Sequence, residues 1–348
     1  MIRRLVPFAV LAGLLAWPQT AAAPAPADPL HAAIAWLKTQ QQADGGFSNG
    51  YAPGSDAATT ADAVVGIVAA GENPSEWIVG NSSPMDFLRS AVSSGALTGP
   101  GAFAKVTLAA VAAGEEPRDL EGVDLVSKIL EGLSVESGLF GGGPYDSALA
   151  IQALGAAGEP VPEGAVTGLL KTRLADGTYS FNGDQTPGAG DSNTTAMAVL
   201  ALISVGAREE IAPSLAYFRS VQNEDGGWTY QKPSAFGEAT DANSTALVVQ
   251  ALIAAGEDVA EWNDPARALL ALQLPSGAFI FNASDSSENL LATVQALPAL
   301  ARVLPGQRAS LPPWVLLGFI AVGVLVVALL VGLVWRRGHV PGAGTRSD

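Results

Sequence analysis

Cysteine is absent from all 348 residues. That excludes disulfides, thiolate metal ligands and a cysteine nucleophile. Histidine occurs only as His31 and His339, so a zinc site built from several imidazoles lacks its ligands, and no metal or other cofactor is expected. Basic residues are scarce as well: 18 Lys and Arg stand against 33 Asp and Glu, a formal net charge of −15. Most of them are scattered singly, whereas a nucleic-acid footprint needs them clustered, so no nucleic-acid partner is expected.

What is present begins with the two ends. Residues 1–23 place Arg3 and Arg4 before an apolar run from Leu5 to Trp17, then the small residues Ala21, Ala22 and Ala23. That is the pattern of a secretory signal, with an uncleaved signal anchor as the alternative. Residues 24–29 form a linker. Trp314 to Trp335 carries no charge and no amide side chain. At 1.5 Å per residue this stretch reaches roughly 33 Å, enough to span a bilayer core of about 30 Å. Tryptophan at both ends suits the membrane interface, and Arg336–Arg337 suits the cytoplasmic flank. The expectation is a single-pass cell-membrane protein: an extracytoplasmic body over 30–302, a linker over 303–313, a transmembrane helix over 314–335 and an inner tail over 336–348.

The body repeats one unit six times. An apolar residue is followed by a Gln-like position, three residues, Gly, one residue and an aromatic, as in WLKTQQQADGGF (36–47), YFRSVQNEDGGW (217–228) and ALLALQLPSGAF (268–279). Weaker copies are GLLKTRLADGTY (168–179), ILEGLSVESGLF (129–140) and DFLRSAVSSGAL (86–97). Each unit precedes an Ala-rich segment, apolar nearly all round: 57–70, 103–113, 145–157, 192–205, 242–255 and 288–300. Gly71, Gly114, Gly158, Gly206 and Gly256 stand at the ends of five of them, as the left-handed residue that stops a helix. Segments buried on both sides alternate with helices such as 213–222 and 264–272, which carry basic residues on one face. The expected fold is all-α: six helix pairs closed into an α/α toroid, with an open α-solenoid as the alternative.

The Gln-x3-Gly-x-aromatic unit resembles the QW repeat of the prenyltransferase and terpene-cyclase superfamily of α/α toroids. It is strongest at Gln41/Gly45/Phe47, Gln222/Gly226/Trp228 and Gln273/Gly277/Phe279. The resemblance implies a structural role for these residues, the Gln capping a neighbouring helix end and the aromatic packing beneath it. It does not carry the chemistry across. The Asp-x-Asp-Asp acid of proton-driven cyclases and the Asp-Asp-x-x-Asp of ionisation-driven synthases are missing, and without Cys the Asp, Cys and His zinc set of the protein prenyltransferases cannot be assembled. A carbohydrate-active enzyme needs only two carboxylates across a cleft, with Asp56, Asp146, Asp184, Asp191 and Asp241 as candidates. Asp56, Asp191 and Asp241, however, sit where helix N-caps are expected.

In a closed ring the inner helices run parallel, and their N-termini gather on one rim suited to a polar ligand. Three long connections, at 48–56, 182–191 and 229–241, feed it with Tyr51, Tyr230 and Phe236. The stretch Asn193-Thr194-Thr195-Ala196-Met197, and less closely Asn243-Ser244-Thr245, resembles the cobalamin-binding intrinsic-factor and transcobalamin family. That resemblance implies a ligand at the rim. The family's cysteines and C-terminal β-domain are absent here, so a transport partner at the membrane would supply the second half-site. The expected ligand contacts are Asn193, Thr194, Asn243, Ser244, Asp62, Tyr145, Tyr51 and Tyr230. Asp62 is included because a carboxylate inside an apolar helix is costly unless it meets a partner. The resulting reading is a non-catalytic protein that binds a small molecule, cobalamin-like or isoprenoid-like. A cyclase-type or carbohydrate-active enzyme and an adhesion or scaffold module are the alternatives.

Overall fold

The computed structural model describes Pro26 and residues 28–304 apart from Phe236. The expected signal over 1–23, the span over 314–335 and the inner tail lie outside these residues. Among the described residues no helix is long and apolar enough to cross a membrane.

The architecture is all-α, with twelve α-helices and only isolated β-bridges among the described residues. They alternate strictly between two sets. The first comprises α1 (Pro29–Gln40), α3 (Pro84–Ser93), α5 (Leu125–Leu130), α7 (Glu163–Lys171), α9 (Ala212–Val221) and α11 (Pro265–Leu270). The second comprises α2 (Ala57–Ala69), α4 (Gly99–Ala112), α6 (Pro144–Ala156), α8 (Ser192–Ser204), α10 (Ala242–Ala255) and α12 (Leu290–Val303). Helices of the second set are buried on almost every side: twelve consecutive residues of α8, Ser192 to Ile203, are buried. Small side chains make this feasible, since Ala-rich helices pack closely against neighbours on two flanks.

Packing follows a simple rule. In the second set α2 meets α4, α4 meets α6, and so on to α10 against α12, which in turn packs against α2. Each helix of the first set packs on the second-set helix before it, and α1 takes α12 as its partner. The first and last repeats are thus neighbours in space. At that seam a side chain at Gly66 of α2 would stand 2.9 Å from Leu297 of α12.

Most sequence boundaries hold to within one residue, with larger differences at three helices; α11 ends at Leu270 rather than 272. Helix α4 begins at Gly99 rather than 103, because Pro100 occupies its first turn, where no amide donor is needed. Helix α12 starts at Leu290 rather than 288, capped by Asn289, and continues past Leu300 and through Pro298 to Val303. The five expected stops, Gly71, Gly114, Gly158, Gly206 and Gly256, all adopt positive φ.

The repeat glutamines form one recurring bond pair. The Gln41 amide donates to Gly45 O in its own turn and to Trp77 O of the next repeat. Gln222 does the same with Gly226 O and Trp262 O. Gln273 donates to Gly277 O and, across the seam, to Pro29 O at the start of α1. The turn glycine is compulsory: at Gly226 (φ +96°) an added Cβ would fall 2.0 Å from Asn263 O. Phe47, Trp228 and Phe279 are fully buried beneath these turns.

Candidate functional site

The N-terminal ends of the second-set helices are built from one plan. Asp56, Asp191 and Asp241 are N-caps, each accepting the backbone N–H three residues on. The hydroxyls of Thr194 and Ser244 also donate to the cap carboxylates, at 2.8 Å in both cases. Four residues after the cap stands a hydroxyl that accepts the backbone N–H of the repeat aromatic. Phe47 donates to Thr60, Phe140 to Ser147, Tyr179 to Thr195, Trp228 to Thr245 and Phe279 to Thr293, all at 2.8–3.1 Å.

This hydroxyl fixes the rotation of each helix. At about 100° per residue, the positions two, six and nine after the cap lie roughly 140–160° away from the hydroxyl. They face away from the repeat turns, along the side on which second-set helices meet one another. Eight of those eighteen positions hold polar residues. Two after the cap come Tyr145, Asn193 and Asn243; six after it, Asp62 and Gln295; nine after it, Thr107, Gln152 and Gln250. Their hydrogen bonds run between adjacent helices. Asn243 Nδ2 donates to Gln295 Oε1 at 2.6 Å, Gln152 Nε2 to Met197 O at 3.1 Å, and Gln250 Nε2 to Gln295 O at 3.3 Å.

Asp62 pairs with Lys105 of α4 at 3.0 Å, and both side chains are buried. Burial pushes the Asp62 carboxyl up to about 7, the ammonium acting in the opposite direction. Lys105 also acts on Asp146, whose carboxyl burial raises while the Gly142 N–H and Lys105 draw it down. Glycines surround Asp146 closely: a Cβ at Gly101 would fall 2.5 Å from Oδ1, and one at Gly141 2.6 Å from Oδ2. Several buried atoms on the shared face lack any hydrogen-bond partner: Asp62 Oδ1, Thr107 Oγ1, Gln152 Oε1, Asn193 Oδ1, Gln250 Oε1 and Gln295 Nε2.

An aromatic cluster adjoins the caps of α6, α8 and α10. Tyr145 and Phe181 stack tilted, with centroids 5.1 Å apart. The Tyr230 hydroxyl bonds the Asp191 carboxylate and its backbone N–H reaches Asp241, so one residue ties two caps together. Burial raises Asp191 to about 7 and Asp241 to about 6, against the hydrogen bonds that favour their anions. The Tyr230 hydroxyl is raised, first by burial and then by the Asp191 charge.

The expected contact residues therefore fall into distinct surroundings. Asn193, Asn243, Asp62 and Tyr145 share the face between second-set helices. Thr194 and Ser244 serve the caps, and Tyr230 links them. Tyr51 stands apart, 64 % exposed on the loop before α2, and Phe236 lies outside the described residues. Sequence reasoning missed Lys105, Gln152, Gln250 and Gln295. A lone polar residue inside an Ala-rich run was the available signal, as it had been for Asp62. Among the described residues no group of three or more His, Cys, Asp or Glu is placed to hold a metal ion.

No protein-family model and no curated protein matches the sequence. Solved structures do. A protein from Actinoplanes aligns with TM-score 0.59 at 18 % identity, over 78 % of this chain and 97 % of that one. The type II terpene cyclase MstE from Scytonema aligns at 0.55 and 14 %, over 78 % and 96 %. Haptocorrin in complex with Cbi aligns at 0.53 and 16 %, over 78 % of this chain and 65 % of its own. At these identities the likeness concerns the fold, and in fold this chain is similar to α/α toroid proteins that include terpene cyclases and haptocorrin.

Proposed function

We propose that the chain is an extracytoplasmic ligand-binding protein, anchored by one C-terminal span, whose twelve helices close into a toroid. The cyclic packing of the second set, α12 on α2, supports closure, as does the Gln273 bond to Pro29. The leader and span rest on the sequence pattern.

One observation carries the binding reading. Four unpaired acceptors, one hydroxyl and one unpaired amide donor lie on the face that the second-set helices share. Buried polar groups in native proteins are nearly all hydrogen-bonded, so a row of such atoms marks a place where a partner molecule belongs. Acceptors in excess call for a ligand rich in N–H or O–H donors. That favours an amide-bearing corrinoid over an isoprenoid, whose hydrocarbon chain would leave the acceptors unmet. Haptocorrin in complex with Cbi and a MstE variant in complex with geranylgeranyl dihydroxybenzoate have the same fold and define the two arms of the test. The assay is thermal unfolding of the detergent-solubilised full chain with cobinamide, cyanocobalamin or geranylgeranyl diphosphate. A ligand held by the native state raises the midpoint by mass action. The expected result is a rise with the corrinoids that Asn193→Leu abolishes; no rise with any of the three overturns the proposal.

One observation favours a catalytic alternative. Asp62, poised near neutrality and backed by Lys105, has the character of a proton donor. Conversion of a polyprenyl or glycan substrate that Asp62→Asn abolishes would select it.

A further inference from the structure

A second concavity lies at the seam of the first and last repeats, away from the inward face. It encloses about 410 Å3, within the roughly 300–1,000 Å3 of small-molecule sites. Helix α1 and its following turn contribute Trp36 and Gln42, the loop before α2 contributes Asn49 and Tyr51, and the approach to α12 contributes Glu288. Its lining joins amides, a serine hydroxyl, one carboxylate, two aromatic rings and two leucines, with no Lys, Arg or His.

The polar groups are held ready. Trp36 Nε1 donates to Glu288 Oε2 at 2.9 Å, which fixes the carboxylate. Asn49 Oδ1 accepts the N–H groups of Tyr51 and Ala52, so its amide is oriented while its NH2 donors stay unused. These bonds from the backbone to the Asn49 side chain shape the turn that carries the Tyr51 ring. A fixed carboxylate accepts two neighbouring hydroxyls, oriented amides pair with a hydroxyl as donor and acceptor, and an exposed ring packs against the C–H face of a sugar. The missing cations disfavour an acidic sugar. We propose that this groove is a binding site for a neutral pyranose saccharide. It is independent of the inward-facing site and of the ligand assigned there.

The test is isothermal titration of the detergent-solubilised full chain with glucose, N-acetylglucosamine, cellobiose and chitobiose. The expected result is saturable binding of at least one saccharide at millimolar or lower concentration. Tyr51→Ala removes an exposed ring and leaves the fold intact; Glu288→Gln keeps an acceptor for Trp36 but lowers the charge offered to the hydroxyls. Each is expected to weaken binding at least tenfold, and Tyr51→Phe to retain it. Asn193→Leu, which disables the inward-facing site, is expected to leave saccharide affinity unchanged. Absence of binding by the wild type overturns the proposal, as does binding that survives both Tyr51→Ala and Glu288→Gln.

Discussion

Replacing Lys105 with methionine isolates the buried ion pair, because the side-chain volume is nearly kept while the charge is lost. With the ammonium present, the Asp62 carboxyl titrates near 7. Above that pH the wild-type carboxylate is ionised in both folded and unfolded states, and the pair adds no slope to stability. In the variant nothing offsets burial, and the unlike-signed neighbour is gone while Asp56 still repels the anion. Asp62 then stays protonated in the native state well above pH 7, while the unfolded chain ionises it near 3.8. The native state binds the extra proton, so stability falls as pH rises. The rate is about 1.4 kcal/mol per pH unit, and the variant's deficit should widen by about 3 kcal/mol between pH 7 and pH 9. Below pH 7 both proteins hold a neutral Asp62 and the deficit should be small and level. Urea unfolding at pH 6, 7, 8 and 9 reads this directly. Adding Asp62→Leu should restore most of the stability at high pH, since two apolar side chains often replace a buried pair without loss. A deficit that is the same at every pH would refute the assignment of Asp62 and Lys105 as a coupled buried pair.

Three further outcomes follow from the geometry. Thr245→Val leaves the buried Trp228 N–H without an acceptor and should lower stability by about 1–3 kcal/mol in urea unfolding. Gly226→Ala, with its Cβ driven into Asn263 O, should cost more than Gly256→Ala, which has a similar positive φ but meets nothing within 4 Å; the second should lose about 1–2 kcal/mol by conformation alone. Asp191 and Asp241 hold protons in the folded state at pH values where the unfolded chain has lost them. Stability should therefore fall as pH rises from about 4 toward 7, and Asp191→Asn should flatten that slope in melting curves at pH 5 and 7.

The helical fold was legible because its two punctuation marks are local. The Gln-x3-Gly-x-aromatic unit names a turn, and the Asp before an Ala-rich run names a cap; both carry their physics within a dozen residues. The packing of α12 against α2 was readable only as an inference from repeat number, since no local pattern joins residues 250 apart. The candidate site was half legible. Asn193 and Asn243 stood out because they recur, and Asp62 because it is an acid in an apolar helix. Thr194 and Ser244 looked the same as Asn193 in sequence, yet one helical position turns them to the cap. Lys105 went unread because a lysine can extend its amine far from its own backbone, so its position said little about its charge's destination. The glutamines of α6, α10 and α12 were hidden by their ordinary tolerance of helices.

Equivalent positions in the six repeats separate framework from function. Every repeat faces the same structural demand, so a position that serves the framework should hold the same chemistry each time. The position four after the cap does so: it is a hydroxyl in five of six repeats, and each accepts the N–H of its aromatic. The position six after the cap does not. It reads Asp62, Ala104, Leu149, Met197, Leu247 and Gln295, on helices otherwise alike in length and composition. Packing alone would accept leucine or methionine at all six, and two of the six are polar at the expense of burying atoms that find no partner. Framework economy cannot account for that asymmetry. The proposed ligand, lying off-centre and touching repeats one and six differently from the others, would account for it. Asp62→Leu combined with Lys105→Met, and Gln295→Leu combined with Asn243→Leu, so that no buried partner is stranded, should then hold or raise stability in urea unfolding without ligand, while Thr60→Val and Thr293→Val lower it. If these two double variants lose as much as the two valine variants, the sixth position belongs to the framework and no ligand is needed to explain its variety.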